Sequence, residues 1–166
     1  MRKDEDCEIT NEFYQNVIKA APMHDLGKIA VDDRILRKPG KFTDEEFEEM
    51  KKHSAKGAEI VGDILEGVED DEFVQIAKNI AQYHHEKWDG SGYPSGISGI
   101  GIPLEARIMA LADVFDALVS KRCYKEPMSF EAAAKVMLES MGSHFDPNLK
   151  HQPQYHCKSG LKGICS

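Results

Sequence analysis

The chain has 166 residues, 41% of them hydrophobic and 30% charged, and a formal net charge of −8. This is the composition of one globular domain with a single core; the acidic balance excludes a general nucleic-acid binder, and no apolar run approaches the ~20 residues that cross a bilayer. Cys7, Cys123, Cys157 and Cys165 form no C-x-x-C pair and Met1–Asp6 leads into no signal-peptide core, which together point to the cytoplasm rather than to a zinc ribbon or a secreted disulfide scaffold.

Residues 10–21 read as a short helix with Phe13, Val17, Ile18 and Ala21 on or near one face. Pro22 interrupts it, and Met23-His24-Asp25-Leu26-Gly27-Lys28-Ile29-Ala30 follows. On a helix, His24 and Lys28 lie four apart and Asp25 and Lys28 three apart, so all three address one pocket. An aspartate has two oxygens and can bridge two metal ions; a histidine supplies one nitrogen. A surface cap is the plainer reading, though Leu26, Ile29, Ala30 and Val31 around the polar groups make it uncomfortable.

Lys38-Pro39-Gly40 is a turn. Thr43 then caps a helix, Glu46 completes a capping box, and Phe42 and Phe47 form a hydrophobic staple. His53 arrives about three turns later; a lone helical histidine is usually structural or exposed. A second helical run over 55–65 carries Ile60, Val61, Ile64 and Leu65, and the acidic stretch 66–72 reads as a loop. A helix over 73–83, with Phe73, Ile76, Ala77 and Ile80 at helical spacing, delivers His84 and His85 at its end. Paired imidazoles ligate zinc, iron or manganese well, and a polar helix end is the alternative. Glycines that permit close backbone approach follow, with Tyr93-Pro94 after them.

The most legible helix is 104–120, where Ala106, Ala110, Asp113 and Ala117 share one stripe. A carboxylate in an alanine-lined stripe needs a partner, either a cation or a core arginine. Asp116 follows, and Arg122 and Lys125 are candidate anion contacts. Ser129 caps a last helix running to about Met141, and 142–147 form a turn. Residues 150–166 read as a loose tail, with His151, His156, Cys157 and Cys165 in it. Five or more helices, short connections and no alternating strands give an all-α bundle.

Five motifs carry a resemblance. They are His-Asp-Leu-Gly-Lys (24–28), Lys-Pro-Gly (38–40), His-His-Glu-Lys-Trp-Asp-Gly-Ser-Gly-Tyr-Pro (84–94), Ile-Pro-Leu (102–104) and Ala-Arg-Ile-Met-Ala-Leu-Ala-Asp-Val-Phe-Asp-Ala-Leu (106–118). Together they resemble the HD-GYP family, a branch of the HD superfamily of metal-dependent phosphohydrolases. The resemblance divides the chain into an N-terminal segment at 1–19 (a truncated first helix), an HD-GYP domain at 20–149 and an irregular tail at 150–166. It implies an HD-domain helical bundle that holds two, sometimes three, divalent transition metals. Iron or manganese come first, with zinc, nickel or magnesium also compatible. It implies hydrolysis of cyclic di-GMP to pGpG, and in some members on to GMP.

By the same resemblance, Asp25 bridges the metals, His24 and Asp113 hold one of them, and His53, His84 and His85 hold the other. Lys28 contacts the scissile phosphate, Tyr93 shapes the loop beside the site, and Asp116, Arg122 and Lys125 contact or orient the nucleotide. Other signalling domains or proteins are the implied partners, besides cyclic di-GMP. Relatives also carry an upstream histidine; none precedes His24 here, and Glu8 or Glu12 are the nearest acids. One metal position is therefore expected to lack a ligand. This leaves two further readings: a degenerate module that binds nucleotide, metal or a protein with little hydrolysis, and a phosphohydrolase for another nucleotide.

Overall fold

Short polar residues set most helix starts. In the computed structural model, which describes residues 9–121 and 126–150, the Thr10 side chain accepts from the Phe13 amide and opens α1 (Asn11–Ala20). Asp32 opens the single-turn α2 (Asp33–Leu36). Thr43 and Glu46 make both halves of the capping box and open α3 (Asp44–Ile64). Asp70 caps α4 (Asp71–Tyr83), Pro103 precedes α5 (Leu104–Val119), and Ser129 caps α6 (Phe130–Glu139). Among the described residues there is no strand beyond one isolated bridge between Met141 and Phe145, so the all-α expectation holds.

The core is a matched pair of stripes. On α3 the buried positions are His53, Ser54, Gly57, Ala58 and Val61. On α4 they are Ile76, Ala77, Ile80 and Ala81, and His84 continues the series one turn later. Both follow the i, i+4, i+8 line that one helix face presents. The 65–70 loop folds α4 back along α3, the most extensive pairing in the molecule. Eight residues separate Val61 from His53, and eight separate Ile76 from His84, so the same face that buries isoleucine and valine near the loop brings two imidazoles together further along. Val17 and Ala20 of α1 and Met109 of α5 close this core.

The structure departs from the sequence reading at several points. Residues 21–30 are two 3-10 turns, Ala21–Met23 and Leu26–Ala30, separated at His24 and Asp25. Pro22 and Gly27 disfavour a continued α-helix. α3 is one continuous helix, not two runs. Asp71 and Glu72 belong to the first turn of α4, where acids suit the helix dipole. Ile18 and Ile64 face solvent, at 49% and 60% exposure. The last helix ends at Glu139 rather than near Met141. Residues 151–166, read as a loose tail, lie outside the described residues.

Candidate metal centre

Helical backbone aims the histidines. His53 Nδ1 lies 2.6 Å from the Met50 carbonyl oxygen, His84 Nδ1 2.9 Å from that of Ile80, and His24 Nδ1 2.8 Å from that of Ala21. A carbonyl only accepts, so each Nδ1 carries the proton and each Nε2 keeps its lone pair. Nε2 of His53 and of His84 are buried with no hydrogen-bond partner. A buried polar atom left in that state is costly unless something binds it.

Asp25 is the hub. Its Oδ1 lies 3.6 Å from His53 Nε2 and 3.9 Å from His84 Nε2, both too long for hydrogen bonds. Its Oδ2 lies 3.3 Å from His24 Nε2 and 2.5 Å from Lys28 Nζ. Asp113 Oδ1 stands 3.9 Å from His24 Nε2 on the other side, which answers the sequence question about its partner: it faces an imidazole. One donor atom from each of Asp25, His53, His84 and His85 falls within 4.8 Å of the others. One carboxylate oxygen and three imidazoles at that separation, two of them buried and unpartnered, fit a divalent transition metal. His24 and Asp113 extend the group past the other Asp25 oxygen.

The electrostatics keep donors ready. Burial holds His84 down to about 4 and His85 down to about 2, each helped by neighbouring imidazoles, and burial also lowers His53. All three are neutral at pH 7. Burial favours the neutral acid at Asp25, but His24 and Lys28 outweigh it and hold the carboxyl well below its usual range. The Asp25 carboxylate, 3.3 Å from Nε2, would accept a second ring proton there, and so raises His24. For His53, His84 and His85 the unfolded chain binds more protons than the folded one, so stability falls with acidification; His24 acts in the opposite sense. Burial also lowers His144 and raises Glu86, so four deficits stand against two excesses. The urea midpoint of metal-free protein is therefore expected to drop between pH 6.5 and pH 4, and a flat profile would mean that the rings are solvated.

The glycine loop closes one side. Tyr93 lies 4.7 Å from the His85 ring and 6.4 Å from the His53 ring, centroid to centroid, and burial raises its pKa. Gly92 is obligatory: a Cβ there would sit 2.4 Å from the Lys87 nitrogen and 2.5 Å from the Glu86 Cα. Glu86, buried at 2%, accepts from the amides of Ser95 and Gly96. The Trp88 and Asp89 amides donate to the carbonyls of His144 and Ser143, and Arg107 pairs with the buried Asp146 at 2.5 Å. The sequence reading missed Glu86 and the Arg107–Asp146 pair. A charged residue inside a glycine-rich loop gives no period to read, and a pair 39 positions apart leaves no local signal.

Not every expected residue joins the group. Asp116 is exposed and accepts from Ser120 Oγ at 3.1 Å; among the described residues nothing ties it to Asp25. Arg122 and Lys125 lie outside the described residues. Glu12 is exposed on the first turn of α1, and Glu8 also lies outside the described residues.

The family model described as HD domain matches residues 5–149. The chain belongs to the HD domain family. It is 53% identical over 131 residues to a probable cyclic di-GMP phosphodiesterase of Vibrio cholerae, covering 78% of this chain and 30% of that protein. It is 48% identical over 139 residues to a cyclic di-GMP phosphodiesterase response regulator of Xanthomonas campestris, covering 84% and 35%. It is 47% identical over 130 residues to a 3'3'-cGAMP-specific phosphodiesterase of Vibrio cholerae, covering 78% and 24%. The chain thus spans about a third or less of the length of these curated relatives. Among the described residues no helix is long and apolar enough to cross a membrane.

Proposed function

We propose that this HD domain is a metal-dependent phosphodiesterase that hydrolyses cyclic di-GMP to pGpG. The observation that carries the reading is the group around Asp25: three neutral imidazoles and a carboxylate converge, and two of the imidazole nitrogens are buried with nothing else to bind. The names of the relatives supply the substrate class. Asp25 would bridge two cations, with His24 and Asp113 on one and His53, His84 and His85 on the other. Iron or manganese suits such mixed nitrogen and oxygen donors. Bound there, the cations supply Lewis acidity that neutralises phosphoryl oxygens and makes a nucleophile available at neutral pH.

The protein's own groups do the rest. Lys28 Nζ, held 2.5 Å from Asp25 Oδ2 and 38% exposed in its side chain, can turn from that carboxylate to the phosphate and stabilise charge as it builds there. Tyr93 walls the site beside His85. The carbonyls behind His24, His53 and His84 keep their lone pairs inward. The four-donor group forms without any residue upstream of His24, and the phosphodiesterase names of the relatives favour hydrolysis over a module that only binds. A cytoplasmic location and further signalling domains or proteins as partners complete the proposal.

The decisive experiment is incubation of iron- or manganese-reconstituted protein with cyclic di-GMP and chromatography of the products. Linear pGpG supports the reading; unchanged substrate with metal bound removes it. Lys28→Ala is expected to lower turnover about 100-fold, the scale of one preorganised charge donor, with metal content intact by elemental analysis. Loss of metal in that variant would make the lysine structural.

A further inference from the structure

Phe47 and Lys51 stand at i and i+4 on α3, on the approach to His53. Phe47 is 45% exposed. Its ring meets Tyr93 edge-on, with centroids 6.2 Å apart and planes at 82°. Tyr93 lies against His85. The Lys51 ammonium sits 5.3 Å from the Phe47 centroid and 5.9 Å from that of Tyr93. A file of rings therefore leads from the Asp25 group to solvent, with a cation over the faces of its outer two members. Lys51 also pairs with Glu48 at 2.5 Å; its own side chain is 25% exposed, but that of Glu48 is 67% exposed, so solvent screens the pair and the carboxylate can release the ammonium to a ligand.

An exposed aromatic face next to a phosphate-cleaving site is a platform for a base, because every base has a π-face to stack. We propose that Phe47, Tyr93 and Lys51 form a guanine subsite. The base stacks on Phe47 with Tyr93 at its edge, and the Lys51 side chain swings from over the ring to donate to O6 and N7. The inference rests on the cyclic dinucleotide reading above. Guanine presents two acceptors along that edge, whereas adenine presents an acceptor at N7 and a donor at N6. An ammonium has donors only, so the subsite favours cyclic di-GMP over cyclic di-AMP.

The test is steady-state kinetics of the manganese-reconstituted full chain with cyclic di-GMP, cyclic di-AMP and bis(p-nitrophenyl) phosphate, a diester without a base. Phe47→Leu keeps bulk and removes the stacking face. It is expected to raise KM for cyclic di-GMP about tenfold, well beyond any change on bis(p-nitrophenyl) phosphate, and Phe47→Tyr to restore it. Calorimetric Kd for cyclic di-GMP, measured in the Lys28→Ala background, should rise by the same factor. Lys51→Gln places a donor and an acceptor where there were only donors. It is expected to reduce the preference for cyclic di-GMP over cyclic di-AMP about tenfold. Equal losses on all three substrates in Phe47→Leu, or an unchanged preference in Lys51→Gln, overturn the subsite. A wild-type protein that cleaves bis(p-nitrophenyl) phosphate but neither cyclic dinucleotide overturns the proposed function instead.

Discussion

Replacing Asp25 with alanine is expected to strip the protein of metal more completely than removing any single histidine. Asp25 touches both halves of the group, with one oxygen toward His53 and His84 and the other toward His24. A shared ligand serves both ions, so its loss weakens both at once. Removal of a mere outer-shell partner costs about 10–100-fold in metal affinity; loss of a bridging carboxylate is expected to exceed the upper figure. His53→Ala removes one donor from one ion and should retain the other metal. Elemental analysis of the two variants after identical reconstitution checks this, and equal metal retention would refute the bridging role. The comparison is fair to the fold, because the Asp25 side chain is 32% exposed and supports no core packing of its own.

The second large effect is expected at Gly27. A Cβ on this residue would lie 1.9 Å from the His53 carbonyl oxygen and 2.5 Å from the Gly57 nitrogen, all backbone that cannot swing aside. Gly27→Ala must lift the Leu26–Ala30 turn from α3. Overpacking of this kind costs about 1–3 kcal/mol or more, equivalent to a fall of roughly 6–12 °C in Tm at the upper figure for a chain of this size. The same displacement carries Asp25 away from His53, so metal affinity should fall with stability. Gly57→Ala is the informative contrast. Its Cβ would meet the Gly27 nitrogen at 3.3 Å and the Ala81 Cβ at 3.5 Å, contacts a small shift can absorb. Thermal melts that rank the two variants equally would mean that the turn is not seated on α3 as described.

That glycine also marks where reading the sequence failed. Two helix starts are legible from their caps, because Thr43 with Glu46, and Ser129, satisfy orphan amides by a local mechanism. The delivery of His84 and His85 at the end of α4 is legible too, since Ile76, Ala77 and Ile80 mark its apolar face; the burial of His84 is not. The sequence reads as a run opened by Thr43 and a second over 55–65, and Ser54 and Gly57 at the join have weak helix propensity. Tertiary packing keeps α3 continuous there: Gly57 lies under the 26–30 turn, where an added Cβ would meet the Gly27 nitrogen at 3.3 Å. The 3-10 geometry around His24 and Asp25 was hidden for a related reason. The i, i+3 spacing of Asp25 and Lys28 is compatible with either helix type, and their contact forms in the tighter one. α2 spans a single turn and has no period to detect. Of the candidate site, the ligand types and Asp113 were readable from the chain, while Glu86 and the Arg107–Asp146 pair depend on long-range burial.

The hydrogen bonds behind the three histidines have a consequence for mutation. His24, His53 and His84 each lean on a carbonyl three or four residues earlier in their own segment, whereas many metal-binding imidazoles rest on a carboxylate side chain. Tautomer and tilt are thus inherited from the main chain. The side chain at Met50 takes no part in that contact, whereas Ile80 is held by the core it fills. Conversely, among the described residues no carboxylate stands behind these three rings, so a point mutation there has no such group to adjust.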